Sequence, residues 1–164
     1  MNDFLKAIIK DKTILDFQNA SSLNVYLLAC VNGHLDIMKY LENEHNWDIH
    51  IKGNNGNDAF LLASQCGNLD IMKYLEKECN WDINVKDETG NNAYLLASYC
   101  GHLDVMKYLE KVNNLDIYVK NNYGEDAYLY ASYKGHLEIM KYLERENNWN
   151  IHVKCNNGSD AYLL

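Results

Sequence analysis

The stretch Gly33-His-Leu-Asp-Ile-Met-Lys-Tyr-Leu41 returns nearly letter for letter at 67–75, 101–109 and 135–143, a fixed step of 34 residues. A unit of that size cannot bury its own apolar face. It must stack on copies of itself, so the chain folds as a linear array rather than around one central core. With 48% hydrophobic residues in 164, apolar surface is ample for such a core, drawn out along the stack.

One unit, 56–89, shows the anatomy, and the others follow by adding or subtracting 34. It begins with Asp58-Ala-Phe-Leu-Leu-Ala-Ser64, where Asp58, like Asn92, Asp126 and Asp160 in later units, is a good N-cap for a short helix. Ala59, Phe60 and Ala63 are expected to face the stack. After a break at Gly67, Leu69, Ile71, Met72 and Leu75 trace an apolar stripe at helical period, which predicts a second helix from Leu69 to about Glu78. Asp70 falls in its first turn, where the helix dipole favours a carboxylate, and three residues before Lys73. Lys73 and Glu76 read as solvent-facing.

The third part, Asn80-Trp-Asp-Ile-Asn-Val-Lys-Asp-Glu-Thr-Gly90, alternates Trp81, Ile83 and Val85 and then turns polar, which carries strand and turn signals. Asn46, Asn80, Asn114 and Asn148 stand where the second helix stops, a place that commonly needs a left-handed residue. Gly56, Gly90, Gly124 and Gly158 predict a turn of positive φ. Tetratricopeptide units share the period but spend nearly all their residues on two long helices. The loop third of each unit here, and the missing Trp, Gly and Pro signature, exclude them.

The order short helix, Gly-His-Leu-Asp/Glu, second helix, Asp-Ile-x-Val/Ile, turn and glycine resembles the ankyrin repeat. Gly33-His-Leu-Asp36, Gly101-His-Leu-Asp104 and Gly135-His-Leu-Glu138 match that family's inter-helix motif, and Trp81-Asp-Ile-Asn84 looks like its Ala-Asp-Val-Asn segment. The resemblance implies an all-α repeat solenoid, with helix-turn-helix units joined by β-hairpin-like loops. It spans four repeats at 22–55, 56–89, 90–123 and 124–157, preceded by a degenerate capping unit at 1–21 and followed by the start of a fifth at 158–164.

Two departures stand out. The family's Thr-Pro-Leu-His is here Asp58-Ala-Phe-Leu61 and its equivalents, in a chain without proline. The period also exceeds the family's usual value of about 33 by one residue, placed between second helix and hairpin. Trp47, Trp81 and Trp149, with Leu115 in the remaining unit, are expected to cover the end of the second helix. The bias toward Asn, Lys, Ile and Tyr is similar to ankyrin arrays of large DNA viruses of amoebae and of some protists.

Little in the chain suggests chemistry. A net charge of −8 disfavours a nucleic-acid backbone or an anionic membrane as ligand and favours a basic partner surface. Five cysteines without framework spacing point to a reducing compartment, cytoplasmic or the cytosol of a host cell. His34, His102 and His136 share one slot with Asn68, which reads as structural. Stacked units about 10 Å apart are too far for two of these rings to share a zinc ion. Cys66 and Cys100 exceed a disulfide's reach for the same reason. With no nucleophile, phosphate loop or Cys-x-x-Cys, the chain is expected to be no enzyme and to carry no catalytic residue, metal or cofactor.

Binding is then expected where the repeats differ. In ankyrin arrays the concave face is made of hairpin tips and first-helix ends. Those positions are here Asn32, Asn54, Asn55, Asn57, Gln65, Glu88, Thr89, Asn91, Tyr99, Asn122, Tyr123, Glu125, Tyr133 and Lys134. Exposed tyrosines are common anchors, which singles out Tyr99, Tyr123 and Tyr133. Tyr40, Tyr74, Tyr108 and Tyr142 do not vary and read as packing. The resemblance further implies Asn84 as the hairpin asparagine best placed for hydroxylation. The expected function is a non-enzymatic protein-binding scaffold. The alternatives are the substrate-recognition part of a larger adaptor, such as one recruiting a ubiquitin ligase, and an array assembling end to end through an open C-terminal edge. A sequence stopping inside a first helix favours a fragment of a longer array, as a monomer or weak end-to-end oligomer.

Overall fold

The computed structural model describes residues 24–45, 47–112, 115–147 and 149–159. Among them lie four helix pairs: α1 Val25–Val31 with α2 Leu35–His45, α3 Ala59–Gln65 with α4 Leu69–Lys77, α5 Ala93–Cys100 with α6 Leu103–Leu109, and α7 Ala127–Lys134 with α8 Leu137–Glu146. Each second helix packs on its own first helix, and the first helices α1, α3, α5 and α7 pack serially on one another. The core is accordingly a continuous ribbon along the stack. The expected capping unit at 1–21, Asp160 as a cap, and Asn46, Asn114 and Asn148 as helix stops lie outside the described residues.

The first helices are short and walled in by their neighbours. In α3 every residue from Ala59 to Ser64 is buried, and α5 repeats this from Ala93 to Ser98, more than the three stack-facing residues expected. Small residues, Ala59, Ala63, Ala93, Ala97, Ala127 and Ala131, let neighbouring helices approach. The caps are as expected: Asp58, Asn92 and Asp126 accept from the Leu61, Leu95 and Leu129 N–H groups at 3.0 Å. Asn24 does the same for Leu27 at 2.9 Å.

The second helices bury the stripe read from the sequence, Ile71, Met72 and Leu75 in α4 and Val105, Met106 and Leu109 in α6. Asn80 adopts φ 50°, the left-handed stop that the sequence implies. The Trp81 N–H then returns to the Leu75 carbonyl at 3.1 Å, and Trp47 and Trp149 bond Leu41 and Leu143 in the same way. That bond spans six residues, against five in a Schellman closure, so the additional residue sits inside the stop itself.

The loops are hairpin-like in their turns, with Asp87 N–H bonded to Asn91 O and Asn121 N–H to Glu125 O, but their alternating arms do not pair as strands. Trp81 is buried and Ile83 and Val85 half-buried, while Asp82, Asn84 and Lys86 are exposed, so the alternation is real. Yet no strand forms among the described residues beyond a single bridge at Lys154. Backbone bonds also run between units. The Glu88, Asn122 and Asn156 N–H groups donate to the Asn55, Thr89 and Tyr123 carbonyls at 3.0, 2.9 and 2.8 Å, one rung per unit. Asn122 and Asn156 add side-chain bonds to the Glu88 and Asn122 carbonyls, both 3.1 Å.

Side chains join the units as well. Ser64 and Ser98 hydroxyls donate to the Ala93 and Ala127 carbonyls at 2.6 Å, and the Cys30 thiol donates to Ala59 at 3.0 Å. The motif histidines clamp the preceding unit: His102 and His136 Nε2 lie 3.1 and 3.0 Å from the Gln65 and Tyr99 carbonyls. Asn68 in the same slot donates to the Cys30 and Val31 carbonyls. Gly101, at φ 88°, both caps α5 in the left-handed region and makes room for this clamp. A Cβ there would come within 2.8 Å of the His136 ring.

Two sequence expectations need correcting on the outer face. Glu76 is half-buried and accepts from the Tyr108 hydroxyl at 2.9 Å rather than only facing solvent. Among the invariant tyrosines, Tyr74, Tyr108 and Tyr142 do more than pack, because their hydroxyls reach a glutamate in the preceding unit. Glu42 accepts from Tyr74 and Glu110 from Tyr142, both at 2.5 Å, and the same two carboxylates also accept from Tyr26 and Tyr94 of their own units, both at 2.7 Å. Burial, followed by these carboxylates, pushes all four hydroxyls far above the ordinary tyrosine value.

Candidate functional site

The face formed by the loop tips and the first-helix ends is where the units differ most. Each tip is a turn closed by two backbone bonds, Asp87 N–H to Asn91 O and Gly90 N–H to Asp87 O in one, Asn121 N–H to Glu125 O and Gly124 N–H to Asn121 O in the next, at 3.0–3.1 Å. Inside the tip, Asp87 Oδ1 accepts from the Thr89 and Asn91 N–H groups, and Asn121 Oδ1 from those of Tyr123 and Glu125. The side chain at the start of the tip therefore holds its shape.

These bonds sort the candidate residues. Asn54, Asn55, Glu88, Asn122 and Tyr123 are exposed on the tips, and Asn57 and Thr89 are half-buried. Asn91 is buried, at 7% exposure, which removes it from the surface. Its amide donates to Asp87 and Thr89, and its oxygen accepts from Asn121 Nδ2 at 3.2 Å and the Tyr130 hydroxyl at 2.9 Å. Asn32 is exposed but folds its amide back on the Leu28 carbonyl, and Gln65 lies half-buried beneath His102.

At the junction of units 124–157 and 90–123 the candidates converge. Tyr99, Glu125 and Tyr133 line a groove of about 340 Å³ together with Tyr130, Cys155, Asn157 and Ser159. Tyr99 meets Tyr130 edge to face, ring centres 5.0 Å apart at 70°. Lys134 Nζ lies 4.3 Å from the Tyr99 ring centre and 5.1 Å from that of Tyr133. Glu125 Oε2 accepts from Asn121 Nδ2 at 2.7 Å. Tyr123 falls in an adjoining depression with Glu125, Cys155, Asn156 and Asn157. Asn32, Asn54, Asn55, Asn57 and Gln65 belong to earlier units and do not reach the groove.

Tyr130 and Cys155 were not among the candidates. The signal for Tyr130 was present, since the slot is leucine at 28, 62 and 96 and changes only here. Burial, then the nearby Glu125, pushes its hydroxyl far above the ordinary value, so it stays a neutral donor to Asn91. All five cysteines are free thiols, and burial raises Cys66 and Cys100 above the ordinary thiol value.

Stacked helix pairs, a ladder of tips and one face of varying side chains define a helical repeat solenoid. A sequence model described as ankyrin repeats (three copies) matches residues 1–87 and again 79–157, and the chain belongs to the ankyrin repeat family. A search of the curated proteins finds no match. Ankyrin repeats generally bind other proteins and are typically non-enzymatic. Among the described residues, no helix is long and apolar enough to cross a membrane.

Proposed function

We propose that this chain is a protein-binding module whose partner docks on the concave face, over the tips and first-helix ends of the last two units. The observation that carries the reading is the groove itself. Three tyrosines, one exposed and two half-buried, all at positions that vary between repeats, gather around one concavity. Tyrosine supplies large contact area with little rotamer entropy to lose, which is why it is common among binding anchors. The rigid ladder beneath keeps the surface organised before contact, lowering the ordering cost of association. A partner of basic character suits the net charge of −8, and five free thiols suit a cytosolic setting.

The test is a paired substitution. Tyr99→Ala with Tyr133→Ala should weaken a partner captured from lysate by ten-fold or more on an anchor scale of about 2 kcal/mol, with Tm nearly unchanged. Lys73→Ala, on the opposite face beside Asp70 at 3.6 Å, should leave capture intact. Capture that survives the tyrosine pair at full strength would overturn the assignment.

A further inference from the structure

We propose that the groove between the last two units takes the arginine side chain of a basic peptide segment, seated between the tyrosine rings and the Glu125 carboxylate, and that Lys134 is its built-in competitor. The inference rests on the concave-face reading and names the chemistry of the partner.

The geometry of Lys134 reports what the rings are shaped for. The exposed Lys134 ammonium stands 4.3 Å from the Tyr99 ring centre and 5.1 Å from the Tyr133 ring centre, so one cation already contacts two of the rings that line the groove. Tyr130 lines the same groove and meets Tyr99 edge to face. Glu125 lines the same groove and has no cationic partner among the described residues. A carboxylate in the wall disfavours an anionic ligand, and ring faces are attracted to positive charge.

A guanidinium suits this pair of features better than the resident ammonium does. It is planar and can lie against a tyrosine face, and its fork can also reach a carboxylate, as a point charge held over the rings cannot. The combination occurs once in the chain. The slots of Glu125, Tyr130, Tyr133 and Lys134 are Asn91, Leu96, Tyr99 and Cys100 one unit earlier, and Asn57, Leu62, Gln65 and Cys66 before that. Neither earlier unit has the acid, the second aromatic or the lysine.

The test uses the whole chain with isotope-labelled tyrosines and a short glycine-serine peptide carrying one central arginine, followed by NMR. Matched peptides with glutamine or glutamate at the centre are the controls. The arginine peptide should shift the ring signals of Tyr99, Tyr130 and Tyr133 at millimolar concentration, and the controls should not. Lys134→Ala should tighten binding roughly two- to five-fold, the worth of one exposed cation–π contact. Glu125→Gln keeps an oxygen for Asn121 but loses the charge, and should weaken binding and flatten its salt dependence.

Binding of the glutamate peptide as tightly as the arginine peptide would overturn the proposal, as would absence of ring shifts or a Lys134→Ala variant that binds no better. Should the tyrosine pair abolish capture of a partner while the arginine peptide shifts nothing, only this inference falls. Loss of the docking reading itself would show as capture indifferent to both tyrosines.

Discussion

The first helices α1 and α3 begin on the same backbone with the same kind of cap, and the two caps differ by one atom. In α3, Asp58 caps with Oδ1 and accepts the Trp81 indole N–H with Oδ2 at 3.3 Å, as Asp126 does for Trp149 at 3.2 Å. In α1, Asn24 caps with Oδ1 but has an amide nitrogen where aspartate has its second oxygen, and Trp47 is also a donor. Asn24 Nδ2 and Trp47 Nε1 are both buried without a hydrogen-bond partner. The third unit resolves the same conflict differently, with Leu115 in place of tryptophan and Asn92 Nδ2 donating to the Asp116 carbonyl at 2.9 Å. Cap and aromatic thus form one unit of design, read correctly only as a pair.

Core packing sets the scale against which this difference is judged. Leu75→Ala removes a fully buried side chain from the stripe of α4 and should cost roughly 2–5 kcal/mol in urea unfolding. Leu41 is equally buried in the first unit, so Leu41→Ala should cost a similar amount. If Leu41→Ala cost far less, the first unit would be loosely held throughout, and its cap would not be the cause.

The pair logic makes a sharper claim about tryptophan. Trp81→Leu leaves Asp58 Oδ2 buried with no partner, whereas Trp47→Leu removes an indole whose N–H already has none. The first change should exceed the second by about 1–3 kcal/mol, the penalty for orphaning a buried polar group. Equal costs by chemical denaturation would mean that the indole bonds contribute nothing beyond packing.

Repairing the mismatch is the converse experiment. Asn24, only 4% exposed, should gain about 1 kcal/mol of stability as Asn24→Asp, by giving Trp47 its acceptor. The gain should depend on pH. Burial, more than any other cause, pushes the Asp58 and Asp126 carboxyls above the ordinary aspartate value despite their cap and indole bonds. A raised folded-state value means that the native form binds the proton more tightly. The contribution of such a group is full below the unfolded value near pH 4 and declines as pH rises through the folded one. The advantage of Asn24→Asp over the parent chain should therefore shrink between about pH 4 and pH 7. An advantage growing toward pH 7 would show that the bonds to the carboxylate outweigh its burial.

Whatever the period dictates could be read from the sequence: the helix pairs, the buried stripe from Ile71 to Leu75, the caps and the left-handed Asn80. These follow from local rules that every unit must obey. Between-unit bonding was illegible, because His102 to Gln65 or Ser64 to Ala93 joins residues that no periodicity relates. The absence of strands at 81–85 has a related cause, since alternation at Trp81, Ile83 and Val85 records burial but not which backbone pairs with which. Variation between repeats singles out Tyr99, Tyr133 and Glu125, which line one groove. Asn91 was misplaced by the same reasoning, because a varying tip residue can point inward as well as outward. Tyr130 was overlooked although it breaks a leucine slot, since an aromatic among apolar residues resembles core.

The smallest expected effect carries the comparison to the outer face. Tyr26, Tyr94 and Tyr128 donate to Glu42, Glu110 and Glu144 at 2.7, 2.7 and 2.6 Å, but the second unit has Phe60 in that slot. Glu76, the glutamate at the matching position, keeps only the bond from Tyr108 of the following unit. Phe60→Tyr should restore the second donor and stabilise the array by about 0.5 kcal/mol, at the low end for one hydrogen bond because Glu76 is only half-buried. The same substitution adds an oxygen to a side chain that is fully buried, so its outcome tests reach as well as chemistry. A neutral result in a Phe60→Tyr, Glu76→Gln double-mutant cycle would mean that the hydroxyl does not find the carboxylate. A coupling of the expected sign would show that phenylalanine at 60 is a lost bond, a milder form of the mismatch that Asn24 and Trp47 present.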